Sequence, residues 1–252
     1  MEFEAVAAVV EGVPFLAPDR GRALYDHVRS THPATVLELG TAHGVSTCYI
    51  AAALEANGDG HLMSVDSSEA GWADPTPAEL LARAGLADRV TLDRRHGSYN
   101  WFLKEQIEER SDAAGNCEPI YDFCFLDGGK NWTVEGFAVV LAEKLLRPGG
   151  WLAMDDLDWS YAYFPKRQHY WVPLEGLTRE ELDQPQLRAV FDLIVRQHPS
   201  FTEFRIENES WGWARKAPGE QRRLTLETTR PLKSILYGEW LRVRERLRRP
   251  LH

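Results

Sequence analysis

The chain has 252 residues and a formal charge of −9, with 29 Lys and Arg against 38 Asp and Glu. Hydrophobic residues make up 44% and charged residues 27%, a globular balance that excludes a disordered or fibrous chain. The acidic balance argues against a general nucleic-acid binder, and no apolar run is long enough to span a membrane. The first residues, MEFEAVAAVVEGVPF, carry acids where a secretory leader carries bases. Three cysteines, Cys48, Cys117 and Cys124, show neither zinc spacing nor a disulfide framework. These features predict a soluble cytoplasmic protein that binds neither nucleic acid nor membrane.

Strand and helix alternate over the first two thirds. TVLELG at 35–40 reads as a strand, STCYIAAALEAN at 46–57 as a helix, and HLMSVD at 61–66 as a strand. AELLARAGL (78–86) reads as helix, RVTLDRR (89–95) as strand and WFLKEQIEER (101–110) as helix. YDFCFLD (121–127) is a near-continuous apolar strand, EGFAVVLAEKLL (135–146) a helix stopped by RPGG, and WLAMDD (151–156) a fifth strand. This spacing predicts βαβ units around a parallel sheet buried on both faces. Beyond residue 160 the chain turns aromatic. PQLRAVFDLIVRQ (185–197) reads as a helix, while FTEFRIE (201–207) and SWGWARK (210–216) alternate like an antiparallel pair. The segment 220–252 holds nine Lys and Arg against four Glu, with Leu232, Ile235, Leu236, Trp240, Val243 and Leu247 on one helical face.

The expected fold is therefore α/β, a doubly wound and mostly parallel seven-stranded sheet with an antiparallel C-terminal pair and an added helix. The expected organisation is one domain over 1–218, with a helical cap at 1–34, a substrate-side insert at 160–185, and a helical extension at 219–252 that suits a homodimer contact.

In such sheets ligands bind beyond the carboxyl ends of the strands. The first strand ends in Glu38-Leu39-Gly40-Thr41-Ala42-His43-Gly44-Val45-Ser46. Its glycines permit a tight turn and close approach of a ligand, and the helix that follows offers free N–H groups. Asp66 ends the second strand, placed to accept ribose hydroxyls. Asp127 ends the fourth strand and the pair Asp155-Asp156 ends the fifth. Three hard oxygen donors on neighbouring strands suit Mg²⁺ or a similar ion.

VLELGTAHGVST followed by LMSVD resembles motif one and the ribose acid of class I S-adenosylmethionine-dependent methyltransferases. That resemblance implies S-adenosylmethionine as cofactor, bordered by Glu38, Gly40, Thr41, Gly44 and Ser46, with Asp66 and Ser67 at the ribose. It also places Gly97 and Ser98 on the adenine side, and Asp127 near the cofactor. PFLAPDRGRALYDHV resembles the N-terminal segment that closes over the cofactor in the metal-dependent branch. The run Asp127–Lys130 with Asp155-Asp156 resembles the metal-dependent O-methyltransferases of the catechol and caffeoyl-coenzyme A types. An acidic pair and a Glu135-Gly136 step are similar to the macrocin O-methyltransferase branch. The resemblance implies a divalent ion on Asp127, Asp155 and Asp156, and Lys130 as general base. It implies methyl transfer to a hydroxyl of a small molecule with vicinal hydroxyls, in natural-product biosynthesis. Aromatic residues after strands four and five, Trp132, Trp159 and Tyr161 among them, are candidates for an acceptor wall. The alternatives are a metal-independent transferase on the same fold, a nicotinamide-dependent oxidoreductase, and a non-catalytic scaffold.

Overall fold

A computed structural model describes residues 1–67, 74–163, 174, 176–219, 223–225 and 240. The segments containing Lys166, Arg167 and His169, and the helix expected within 219–252 apart from the isolated residues just named, lie outside it. Two helices open the chain, α1 (Phe3–Val10) and α2 (Pro18–Thr31). The alternating body follows: β1 (Thr35–Leu39), α3 (Val45–Asn57), β2 (His61–Ser67), α4 (Pro77–Ala84), β3 (Val90–Arg95), α5 (Asn100–Arg110), β4 (Tyr121–Leu126), α6 (Trp132–Leu145) and β5 (Leu146–Met154). Short helices α7 (Arg179–Asp183) and α8 (Gln186–Val190), the latter continued by a π-turn to Val195, precede the hairpin β6 (Phe201–Glu207) and β7 (Trp211–Lys216). Among the described residues no helix is long and apolar enough to cross a membrane.

The seven strands lie in the order β3-β2-β1-β4-β5-β7-β6. The first five run parallel, while β7 pairs antiparallel with both β5 and β6. Strand order reverses between β1 and β4, so a crevice opens there above the strand ends. The period-two alternation of strand side chains splits the core into two faces. Val36, Phe123 and Phe125 pack with α1, α2 and α3 on one face. Leu37, Leu39, Cys124 and Leu126 pack with α5, α6 and α8 on the other. Cys48 and Cys124 are buried free thiols. Helix α3 is buried along Val45–Leu54, which a helix apolar on every side requires.

Two expectations need adjusting. β3 is not buried on both faces, because it is an edge strand, with Thr91, Leu92 and Arg94 exposed and the others half-buried. RPGG does not merely stop α6; it lies within β5, which starts at Leu146. Leu146 pairs with Tyr121, and the register then shifts so that Trp151 meets Phe123. Gly149, at φ +81°, takes up the bulge.

Candidate functional site

Backbone hydrogen bonds bring the β1, β4 and β5 ends together. Asp127 N–H donates to Leu39 O at 2.9 Å, and Asp155 N–H donates to Leu126 O at 3.0 Å. The turn after β1 needs its glycines. Gly40 has φ +99°, and a Cβ there would sit 2.3 Å from the Asp127 carbonyl oxygen. The β1 turn and the Asp127 loop therefore touch backbone to backbone, closer than any side chain allows. Gly44, at φ +86°, caps α3 without a side-chain acceptor, so the first N–H groups of α3 are open to a ligand carboxylate.

Glu38 lies fully buried under this turn. Its Oε2 accepts from Ser64 Oγ at 2.5 Å and Thr47 Oγ1 at 2.6 Å. Its Oε1 is buried with no hydrogen-bond partner. Burial pushes the carboxyl up to about 7, against the lowering effect of the Ser46, Ser64 and Thr47 hydroxyls. An orphaned buried acceptor beside an open helix N-terminus fits the amino-acid end of S-adenosylmethionine, ammonium at one and carboxylate at the other. Asp66 holds the same turn from β2. Its Oδ2 accepts from Thr41 N at 2.5 Å and Ala42 N at 3.0 Å, and its Oδ1 from Ser67 N at 2.6 Å. Three of about four acceptor positions on a carboxylate are thus taken, leaving one on Oδ1. A cavity of about 100 Å³ lies beside it, lined by Thr41, Pro77, Leu92 and Arg94 among others. Gly97, at φ +79°, shapes the turn after β3. The Ser98 hydroxyl accepts from Asn100 N at the start of α5.

The β4 and β5 ends carry two non-glycine residues in the left-handed region, Lys130 at φ +51° and Asp156 at φ +59°. Such conformations cost energy and collect at functional sites. They bring Lys130 Nζ onto Asp156 Oδ2, and to 3.1 Å from Asp127 Oδ1. Arg20, from the first turn of α2, completes the cluster. Its Nη1 donates to Asp155 Oδ1 at 2.8 Å and reaches Asp156 Oδ1 at 3.4 Å. Its Nη2 donates to Ser210 Oγ at 3.0 Å. Asp155 is pushed upward by burial first and then by the charge of Asp127; Arg20 and Lys130 pull it back.

The expected divalent ion can be tested on these residues. Three carboxylates are the right donor chemistry, but their arrangement does not fit a metal. The ammonium of Lys130 lies between Asp127 and Asp156, and the guanidinium of Arg20 lies between Asp155 and Asp156. Among the described residues, no group of three or more His, Cys, Asp or Glu is set to hold a metal ion. The Mg²⁺ assignment to Asp127, Asp155 and Asp156 thus meets a cluster whose counter-charges come from the chain itself.

Beneath the Asp127 loop lies a pair that the sequence reading left without a role in the site. Tyr99 Oη donates to Glu135 Oε1 and accepts from Gly129 N at 3.0 Å. A Cβ on Gly128 would meet the Tyr99 ring at 2.5 Å. The Tyr99–Glu135 pair therefore seats the loop that presents Lys130. Glu135 is fully buried, its Oε2 has no partner, and burial pushes it up to about 7. A carboxyl raised in the folded state keeps a proton that the unfolded chain releases. Glu135 thus lowers stability as pH rises from about 4.5 to about 7, by about 3 kcal/mol as an upper figure, and no further above that. Glu135→Gln is expected to flatten part of this decline in urea unfolding at pH 5 and pH 7.5, with Glu38, Asp155 and Asp66, which burial also raises, supplying the rest. Equal slopes in both proteins would remove Glu135 as its source.

A parallel sheet with its switch point at β1/β4, a glycine turn over a buried acid, and an acid closing β2 are features shared with class I methyltransferase domains. Residues 37–157 match the family model described as a methyltransferase domain. A catechol O-methyltransferase of Niastella koreensis is 30% identical over 148 residues, 58% of this chain. The match spans 60% of that relative's length. The O-methyltransferase TomG of Streptomyces achromogenes, involved in tomaymycin synthesis and solved with S-adenosylmethionine, superposes at TM-score 0.58 and 20% identity, over 86% of this chain and 91% of that one. An O-methyltransferase of Bacillus cereus in complex with S-adenosylhomocysteine gives TM-score 0.54 and 22% identity, over 84% and 86%. At these identities the two structures establish a shared fold.

Arg20, Ser210, Tyr99, Thr47 and Ser64 complete the site and were not singled out in the sequence. Arg20, Thr47 and Ser64 each lie within a segment that carried the resemblance, PFLAPDRGRALYDHV, VLELGTAHGVST and LMSVD, but nothing marked them individually. His43 bonds Pro75 O through Nδ1 at 2.9 Å and stacks on Phe15, a prop for the turn. Trp159 packs edge-on against Tyr161, while Trp132 is 38% exposed at the start of α6.

Proposed function

We propose that the protein is an S-adenosylmethionine-dependent O-methyltransferase acting on a hydroxyl of a small molecule with neighbouring hydroxyls, in natural-product biosynthesis. One observation carries the reading. The turn that suits the cofactor's amino-acid end is in backbone contact with the loop that holds Lys130, through Gly40 and Asp127. A methyl donor and a proton acceptor thereby fall within one crevice.

S-adenosylmethionine supplies a methyl group on a cationic sulfur, open to in-line displacement by an oxygen. Glu38 and the N-terminus of α3 hold its amino-acid end, and Asp66 holds its ribose. Lys130 takes the acceptor's hydroxyl proton. Its nitrogen is in ion-pair contact with Asp127 and Asp156, so it acts as base only after releasing its own proton to solvent. Positioning within the crevice accounts for much of the acceleration. No step is routed through a metal.

Calorimetric titration of the full chain with S-adenosylmethionine and S-adenosylhomocysteine tests the cofactor half. Transfer of a labelled methyl group to 3,4-dihydroxybenzoate tests the acceptor half. Binding in the micromolar range with label on an oxygen is the expected outcome. Absence of cofactor binding would sink the proposal, and label on nitrogen would move it to another transferase class.

A further inference from the structure

We propose that Arg20 is the resident cation of the Asp155–Asp156 pair, excluding a divalent ion and anchoring the acceptor hydroxyl by hydrogen bonds in its place. This rests on the methyltransferase reading and assigns the acceptor-binding group within it.

Arg20 is delivered by a fixed element. Pro18 starts α2, and Gly21 lets the helix press onto Tyr49, where a Cβ would lie 2.2 Å from the ring. The guanidinium is then held on three sides by Asp155, Asp156 and Ser210. Ser210 is itself 1% exposed, and its carbonyl accepts from Leu157 N at 2.8 Å. The fork is therefore preorganised by the β6–β7 turn, the β5 end and α2.

Charge explains the exclusion. Three carboxylates face two cations, which leaves one net negative charge. A divalent ion added beside both cations would reverse that sign in a partly buried site, so it enters only if Arg20 leaves. Departure would leave Asp155, whose side chain is 2% exposed while that of Arg20 is 32% exposed, with the Asp156 N–H at 2.6 Å and no ion-pair partner among the described residues. A carboxyl so buried is held either by a proton or by a cation, and Arg20 supplies a cation that does not lose its own proton. A guanidinium carries five N–H donors. The contacts with Asp155, Asp156 and Ser210 do not exhaust them, and its partial exposure opens it to the crevice. Chelation needs two neighbouring oxygens; a guanidinium hydrogen bond needs one. The acceptor class thus extends to molecules that present a single hydroxyl.

The test is Mn²⁺ titration of chelator-treated full-length protein, read by the electron paramagnetic resonance of free Mn²⁺. Wild type, Arg20→Gln and Arg20→Lys are compared, each also titrated with S-adenosylhomocysteine. Wild type is expected to bind Mn²⁺ no tighter than about 1 mM, Arg20→Gln at least about tenfold tighter than wild type, and Arg20→Lys like wild type. Micromolar Mn²⁺ on the wild type, lost in Asp155→Asn, would overturn the proposal, as would no gain in Arg20→Gln. Retained S-adenosylhomocysteine binding certifies each variant's fold; if Arg20→Gln does not fold, the wild-type measurement decides. Wild type that binds neither ligand would instead fail the methyltransferase reading itself.

Discussion

Asp66→Ala is expected to weaken S-adenosylhomocysteine binding by about a hundredfold or more. Two losses combine. The remaining acceptor position on Oδ1 is lost to the ribose, and a hydrogen bond to a charged group contributes about 1.5–3 kcal/mol. The turn that cradles the cofactor also comes loose, because Thr41 N, Ala42 N and Ser67 N all donate to this carboxylate. Ala42 sits at φ +47°, a conformation that needs such a tie. With Asp66 only 8% exposed, its removal strands buried donors, and unfolding should show a loss of about 2–4 kcal/mol. Asp66→Asn keeps an acceptor oxygen and should fall between the two. Calorimetry gives the affinity and urea melts the stability. A dissociation constant within threefold of wild type would take Asp66 out of the cofactor site.

The sequence carried what is local. Each strand-end motif lies within about ten residues, so the Glu38–Ser46 turn, Asp66, the Asp127–Lys130 run and the Asp155–Asp156 pair could be found without a fold. The parallel core followed from period, since βαβ spacing leaves few topologies open. What stayed hidden is long-range. Arg20 meets Asp155 across 135 positions and Ser210 across 190, and nothing near any of the three marks the meeting. Glu135 was noticed as part of a Glu-Gly step, but its burial depends on Tyr99, 36 positions earlier. The metal expectation was formed without sight of the same long-range contact. Three acids read as unpaired donors when the guanidinium that neutralises two of them comes from a distant helix.

Lys130→Met should cut methyl transfer by about 10²–10⁴-fold, the usual contribution of a positioned proton acceptor, while leaving S-adenosylhomocysteine affinity within about threefold. The substitution keeps the aliphatic stem and removes the nitrogen, and no residue assigned to the cofactor's amino-acid end touches that nitrogen. It also leaves Asp127 and Asp156 without their shared ammonium. Their side chains are 18% and 20% exposed, so water covers part of the loss and the stability cost should stay near 1–2 kcal/mol. Lys130→Arg decides what the nitrogen does. A guanidinium preserves both ion pairs and the charge but cannot accept a proton at neutral pH. If Lys130 is the base, the Arg variant is as slow as the Met variant. If Lys130 only steadies the two carboxylates, the Arg variant recovers most of the rate. Single-turnover transfer of a labelled methyl group to 3,4-dihydroxybenzoate, with cofactor saturating, separates the two, because binding and product release then drop out of the comparison. Recovery in Lys130→Arg would leave the proton to one of the carboxylates and turn Lys130 into a positioning residue.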